Sequence, residues 1–240
     1  MRNVKISAIF VLLIALYAQL CAAQEAPGAG FASAEDASRA LYEAVRINDQ
    51  MALARILGAD NQFVSGDDPA QERREREKFA RKFDEMHRLV RESDGTSVLY
   101  VGAENWPFPF PLTQDGAGWH FDAKAGMEEV LARRIGEDEL AAIDTARAVA
   151  TQKEEKPRAG GLLVNVGNDS REVPFYGYYF RRLDPQKVIA YPAQYRVTGV
   201  KTFVAGADNV VIEKDLGPRT AEVARTMERL DSPSTWQRIE

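Results

Sequence analysis

One cysteine and two histidines in 240 residues leave little room for thiol or metal chemistry. His87 and His120 share no ligand spacing, and the single cysteine, Cys21, lies in an apolar leader, so neither a zinc site nor a disulfide framework is expected. Missing too are a Gly-x-Ser-x-Gly elbow, a Ser-x-x-Lys pair, a Gly-x-Gly-x-x-Gly turn and a phosphate-cradling P-loop. Nucleophilic catalysis and nucleotide binding therefore have no motif to stand on, and no cofactor is expected. An excess of positive charge is absent as well: 31 basic against 36 acidic residues give a net −5, which excludes nucleic acid as the default partner. What the chain has is a folded protein's composition, 45% hydrophobic and 28% charged.

Residues 1–23 read as an export signal. Arg2 and Lys5 precede an apolar run from Ile6 to Leu16, and Cys21-Ala22-Ala23 places small residues at −3 and −1 of a cut before Gln24. The run is shorter than the ~20 residues of a membrane span, so cleavage is expected to leave no stable span. Lipidation at Cys21 would want Leu three residues earlier, where Ala18 stands. The expected location is periplasmic or secreted, with residues 24–32 a flexible lead into the fold.

Past the lead, Ser33 with Asp36 resembles a capping box for a helix reaching Ile47, and Asp49 reads as the N-cap of a second helix stopped by Gly58. Asp68-Pro69 starts a third, and the stripe Phe79, Phe83, Met86, Val90 extends it to about Ser93, placing His87 on a helix. Its charged stretch Gln71–Lys78 reads as solvated, laced by Glu72–Arg76 pairing. Asp94-Gly95 turns the chain into the strand Thr96–Val101. Trp106-Pro-Phe-Pro-Phe-Pro suits only an edge or extended segment, since each Pro lacks a donor. A hairpin through Gln114–Gly118 leads to Trp119-His120-Phe121-Asp122, with His120 facing water. Lys124–Lys153 reads as a helix broken or kinked at Gly136, and Thr151–Gly161 as a linker. Strands follow at 162–166, 173–181, 188–191, 197–205 and 210–214, then a helix over 219–230 and a tail with Trp236.

Segregated helices and strands give an α+β class. N-terminal helices surround a small curved antiparallel sheet (33–150), a linker follows (151–161), and a C-terminal antiparallel sheet carries a terminal helix (162–240).

The chemistry-bearing residues that remain are aromatic. Trp106, Phe108, Phe110 and Trp119 crowd one stretch; Tyr176 and Tyr178 sit in a second, where a period of two puts Tyr176, Tyr178 and Phe180 on one face. Such groups either fill two cores or line a surface that binds a partner protein, an envelope polymer or a small ligand. A hydrolase with a fold-assembled acid–base pair would draw on His87, His120, Asp122 and Glu139; a structural subunit of an envelope assembly would expose a large apolar patch.

Several residue sets occur together: Trp106-Pro-Phe-Pro; Asp115-Gly-x-Gly-Trp119-x-Phe-Asp122; Arg133-Arg-Ile-Gly136-x-x-Glu139; Tyr176-Gly-Tyr-Tyr-Phe180; Tyr191-Pro-Ala-x-Tyr195 with Thr198-Gly; and Lys214-Asp-Leu-Gly-Pro218. Together they resemble the bacterial secreted family of domain-of-unknown-function 2950. The resemblance implies export and a two-part fold and carries no assigned activity. This chain departs from the family pattern in a shortened segment, Thr151–Pro174, ahead of the Tyr-Gly-Tyr-Tyr-Phe run. At the level of fold order, the N-terminal half is similar to nuclear-transport-factor-like cones and the C-terminal strands to the globular end of pseudopilins.

Overall fold

The structure, a computed structural model, describes residues 30–58, 69–152, 158–159, 162–163, 166, 173–230 and 233–239. The signal segment, most of the lead, the loop 61–68, most of the linker and the turn 167–169 lie outside the described residues. Contacts divide the chain into two compact units, Met1–Met127 and Glu128–Glu240. That division falls inside a helix, whereas composition placed the boundary at 151–161.

In the first unit, helix starts are set by short side chains. Ser33 accepts the Asp36 N–H at 3.0 Å and donates its hydroxyl to Asp36 Oδ2 at 2.8 Å, starting α1 (Ala34–Arg46). Asp49 accepts the Ala52 N–H at 2.9 Å at the head of α2 (Gln50–Leu57). Ala37, Leu41, Ala44 and Val45 of α1 and Leu53, Ile56 and Leu57 of α2 are buried, the spacing of one helical face.

Helix α3 (Pro69–Glu85) buries Phe79 and Phe83 and then stops, and the chain runs directly into β1 (His87–Arg91). The expected helix to Ser93 is thus corrected, and His87 lies on a strand. Val90 fits a helical stripe and a strand equally well. The Asp94-Gly95 hairpin decides between them, because it delivers β2 (Ser97–Val101) to pair with all five residues of β1. A second correction falls on the charged stretch of α3. Arg76 is 3% exposed and its guanidinium donates to Glu72 Oε2 at 3.0 Å and Asn48 Oδ1 at 2.5 Å, so this pair is buried and not solvated.

The sheet is completed by β3 (Trp106–Pro107), β4 (Leu112–Asp115) and β5 (Gly118–Phe121), all antiparallel, in the order β1-β2-β4-β5 with β3 on β2. Leu99, Val101, Leu112 and Phe121 of this sheet are buried, as are Phe108 and Phe110 of the connection before β4. The ring centroids of Phe79, Phe110 and Phe121 lie 5.3, 5.5 and 5.8 Å from Phe108, within the range where tilted rings attract.

Helix α4 (Ala123–Thr151) opens on Asp122, whose Oδ1 accepts the Ala125 N–H at 2.9 Å. It runs unbroken through Gly136, correcting the expected break. A helical Gly costs about 1 kcal/mol against Ala. The burial of Ala142, Ile143, Ala146, Val149 and Ala150 beyond it outweighs that cost.

The second unit contains a two-stranded ribbon, β6 (Arg158–Ala159) with β7 (Leu162–Leu163), and a five-stranded antiparallel sheet. The sheet comprises β8 (Tyr178–Asp184), β9 (Lys187–Pro192), β10 (Thr202–Gly206), β11 (Val211–Lys214) and β12 (Gln237–Ile239), in the order β12-β11-β10-β9-β8. Both faces are covered. Tyr178, Phe180, Val188, Ala190, Phe203 and Val211 pack on α4; Ile189, Tyr191 and Val204 pack on α5 (Thr220–Thr226) and Trp236.

Strands expected over 173–181 and 197–205 begin later, at Tyr178 and Thr202, because 176–177 and 196–198 are turns. The tail supplies an edge strand that the pattern around Trp236 did not announce. The fold is α+β, with two five-stranded antiparallel sheets among the described residues. No described helix is long and apolar enough to cross a membrane.

Two neighbouring arginines on β8 show how this unit closes its layers. Alternation sends them to opposite faces. Arg182 donates to the Val149 carbonyl at 3.2 Å and to that of Gln152, at the C-terminal end of α4. Arg181, 8% exposed, donates to the Ala224 carbonyl at 2.7 Å and to that of Met227, at the end of α5. Each cation donates to carbonyls at the C-terminal end of a helix, where the helix dipole favours positive charge. Burial pulls the Arg181 guanidinium below its ordinary range.

Candidate functional site

Three of the four acid–base candidates, His87, Asp122 and Glu139, have a local structural role. His87 stacks on Phe83 (centroids 3.9 Å, 11° between planes), and its Nδ1 lies 2.9 Å from the Phe83 carbonyl, to which it can only donate. His120 on β5 is mostly covered, a correction to the expectation that it faces water, with Nδ1 3.9 Å from Asp115 Oδ1. That separation exceeds hydrogen-bond reach. Asp122 caps α4. His87 and His120 lie on the two end strands, β1 and β5, of the sheet order. Among the described residues no three His, Cys, Asp or Glu side chains gather as metal ligands would.

The six aromatic candidates divide by burial. Phe108 and Phe110 are 2% and 1% exposed, and Tyr178 is fully buried; these three are core. Trp119 is half-buried in β5, where its backbone exchanges two hydrogen bonds with Phe31 (2.7 and 2.8 Å). Trp106 is 38% exposed and packs edge-on against Phe108 at 6.2 Å. Tyr176 is 53% exposed and departs from the shared face expected with Tyr178 and Phe180. It occupies a tight turn in which Phe175 and Tyr178 exchange backbone hydrogen bonds of 2.8 and 3.1 Å.

Both turn residues have positive φ, +48° at Tyr176 and +69° at Gly177, the conformation of a type I′ hairpin turn. Gly177 is suited to it. A bulky aromatic there is an outlier, costing on the order of 1–2 kcal/mol. Gly177 is doubly constrained, since a Cβ would press on Thr198 and approach Asp138.

Glu139, projecting from α4, holds the neighbouring loop in place. Its Oε1 accepts the backbone N–H groups of Val200 at 2.8 Å and Lys201 at 2.9 Å. The Tyr178 hydroxyl donates to the Lys201 carbonyl at 3.0 Å and lies 3.5 Å from the same Oε1. Burial first, then the adjacent carboxylate, pushes the Tyr178 phenol far above its ordinary value, so it stays neutral and serves as a structural donor. Gly199 fits under that hydroxyl, where a Cβ would collide with it.

The loop is further tied by Thr198, whose N–H donates to the Gln194 carbonyl at 2.9 Å and whose Oγ1 accepts the Gln194 N–H at 3.1 Å. Ala193 N–H donates to Gly177 O at 2.9 Å, joining loop to turn. Tyr195 donates to Asp215 Oδ2 at 3.1 Å, and Arg134 reaches the Val197 carbonyl at 3.4 Å. Exposed above this scaffold are Tyr176, Arg196 and Val197, the last 42% exposed. Two main-chain N–H groups converge on one oxygen of Glu139, and such charge-assisted bonds order the loop that they belong to.

Sequence reasoning had Glu139 in view as an acid–base candidate, met Thr198, Gly199 and Asp215 only inside the family motifs without giving them a site role, and did not remark on Gln194. The available signal was the Tyr-Gly pair, a turn dipeptide inside an apparent strand.

A family model described as "Protein of unknown function (DUF2950)" matches residues 29–161 and 186–239. The chain belongs to that family. Tyr176–Phe180 falls between the two matched stretches. No curated protein and no solved structure matches.

Proposed function

We propose that this family member is exported and acts as a non-enzymatic binding module, engaging an envelope partner through the face formed by the Tyr176-Gly177 turn and the loop 193–201. The observation that carries this reading is Tyr176, a half-exposed aromatic held at φ +48° on a turn bonded to an equally constrained loop. Backbone strain survives where surrounding structure over-determines it, and it gathers at ligand clamps and binding turns. Tyr, Arg and an apolar residue displayed together match the composition of binding hot spots. A loop already ordered by Glu139 and Tyr178 loses little further entropy on association.

The test is site-specific photocrosslinking in intact cells. A photoreactive residue at position 176 or 197 should give one discrete adduct, and the adduct from position 176 should be lost in a chain that also carries Arg196→Ser and Val197→Ser. The same probe at exposed Met51, in the first unit, should give none. Absence of any adduct from 176 and 197, or the same adducts from position 51, would sink the reading. Export is tested separately: N-terminal sequencing of the mature protein should begin at Gln24.

A further inference from the structure

The second unit holds another polar feature, apart from the face just described. Where the C-terminal half of α4 meets the β11–β12 edge, an open depression of about 500 Å³ is lined by Arg147, Asn209, Val210, Arg238 and Ile239. Its size is that of a small-molecule cleft. Two of the five lining residues are arginines, and none is acidic.

Arg147 Nε is buried and has no hydrogen-bond partner. The guanidinium's ion-pair contact is a long one, Nη1 to Asp144 Oδ1 at 3.7 Å, and Asp144 is 80% exposed. The side chain as a whole is about one-third exposed, and its guanidinium has no close acidic partner among the described residues while it lines the depression. Arg238 on β12 has no ion pair or hydrogen bond from its side chain among the described residues. Asn209 sits at φ +65° in the β10–β11 turn, and the exposed Asp208 beside it accepts the Val210 N–H at 3.1 Å. Val210 and Ile239 supply apolar wall.

From this geometry we infer that the depression binds a small molecule bearing a carboxylate or phosphate group on an apolar body. The oxyanion is held by Arg147 and Arg238 and the Asn209 amide. Guanidinium forks are the side chains whose geometry matches both anions.

Arginine Nε–H nuclear magnetic resonance on the full mature chain tests this. The probes are inorganic phosphate, butyrate and chloride, each titrated at matched ionic strength. The Arg147 signal, assigned by its disappearance in Arg147→Lys, should shift along a saturating curve with phosphate or butyrate and not with chloride. Saturation by phosphate alone identifies a phosphoester ligand and by butyrate alone a carboxylate; either supports the site. Arg238→Ala should weaken the response at least fivefold, while Arg229→Ala, at an exposed position outside the depression, should leave it unchanged. The inference is overturned if all three anions give the same unsaturated drift, or if Arg238→Ala binds as tightly as the parent. Arg238 is exposed, so its variant keeps the test usable even should Arg147→Lys fold poorly.

Discussion

The two units solve the problem of buried polarity in opposite ways. In the first, the interior is made of rings and aliphatic side chains, and the one buried cation among its described residues, Arg76, has its ionic partner four residues away on the same helix. In the second, charged and phenolic groups enter the interior and bond to main chain far off in sequence. Glu139 reaches Val200 and Lys201, Arg181 reaches Ala224 and Met227, and Tyr178 reaches Lys201. The first unit should therefore fail when its packing is damaged, and the second when a single polar side chain is removed. That contrast also explains where the candidate face lies. Ordering an exposed loop requires anchors that reach out of a core, and only polar side chains bonded to backbone do so without strict shape matching.

The largest expected effect is on packing. Phe110→Ala should cost about 3–5 kcal/mol, measured by denaturant unfolding, with hydrogen exchange accelerating in β4 and β5. Equal acceleration in β8–β11 would break the distinction between the units. Glu139→Ala comes next, at about 2–3 kcal/mol, because two main-chain N–H groups lose their acceptor. Exchange at Val200 and Lys201 should rise first, and Glu139→Gln, which keeps a neutral acceptor, should cost roughly half as much. Arg181→Met should lose about 1–2 kcal/mol through the orphaned Ala224 and Met227 carbonyls, with the end of α5 exchanging faster.

Ser33→Ala, removing a cap in the first unit, should cost about 1 kcal/mol, visible as a lowered unfolding midpoint. The smallest effect belongs to Asp138. Burial raises its carboxyl above the ordinary range, so between the ordinary and the raised value the native chain binds more protons than the unfolded one, and stability falls as pH rises through that window. Asp138→Asn should therefore stabilise slightly at neutral pH and leave stability unchanged below the ordinary carboxylate range. A melting series against pH checks the crossing.

Legibility followed distance along the chain. The caps at Ser33 and Asp49, the turn at Asp94-Gly95 and the hairpin after Asp115 were all readable, because each is a contract between residues two to four apart. The helix end at Glu85 was not, since Val90 satisfies both periods and a strand partner beyond the hairpin settles the choice. Gly136 misled because its local preference is overridden by apolar burial later in the same helix. In the candidate site, Tyr176 was nominated for its ring and placed on the wrong surface; period-two counting fails where a turn intervenes. Arg147 and Arg238, 91 positions apart by their numbering, drew no notice at all.

By itself the sequence determined an α+β chain and several of its helix starts and hairpin turns, because hydrophobic spacing and four-residue hydrogen bonds act before any distant segment arrives. Only the tertiary structure decided that Glu139 is an anchor, that Tyr178 is core while Tyr176 stands in solvent, and that two arginines line one depression. Those outcomes depend on partners tens of residues away, and no periodicity in a linear pattern carries the identity of a partner that folding alone brings near.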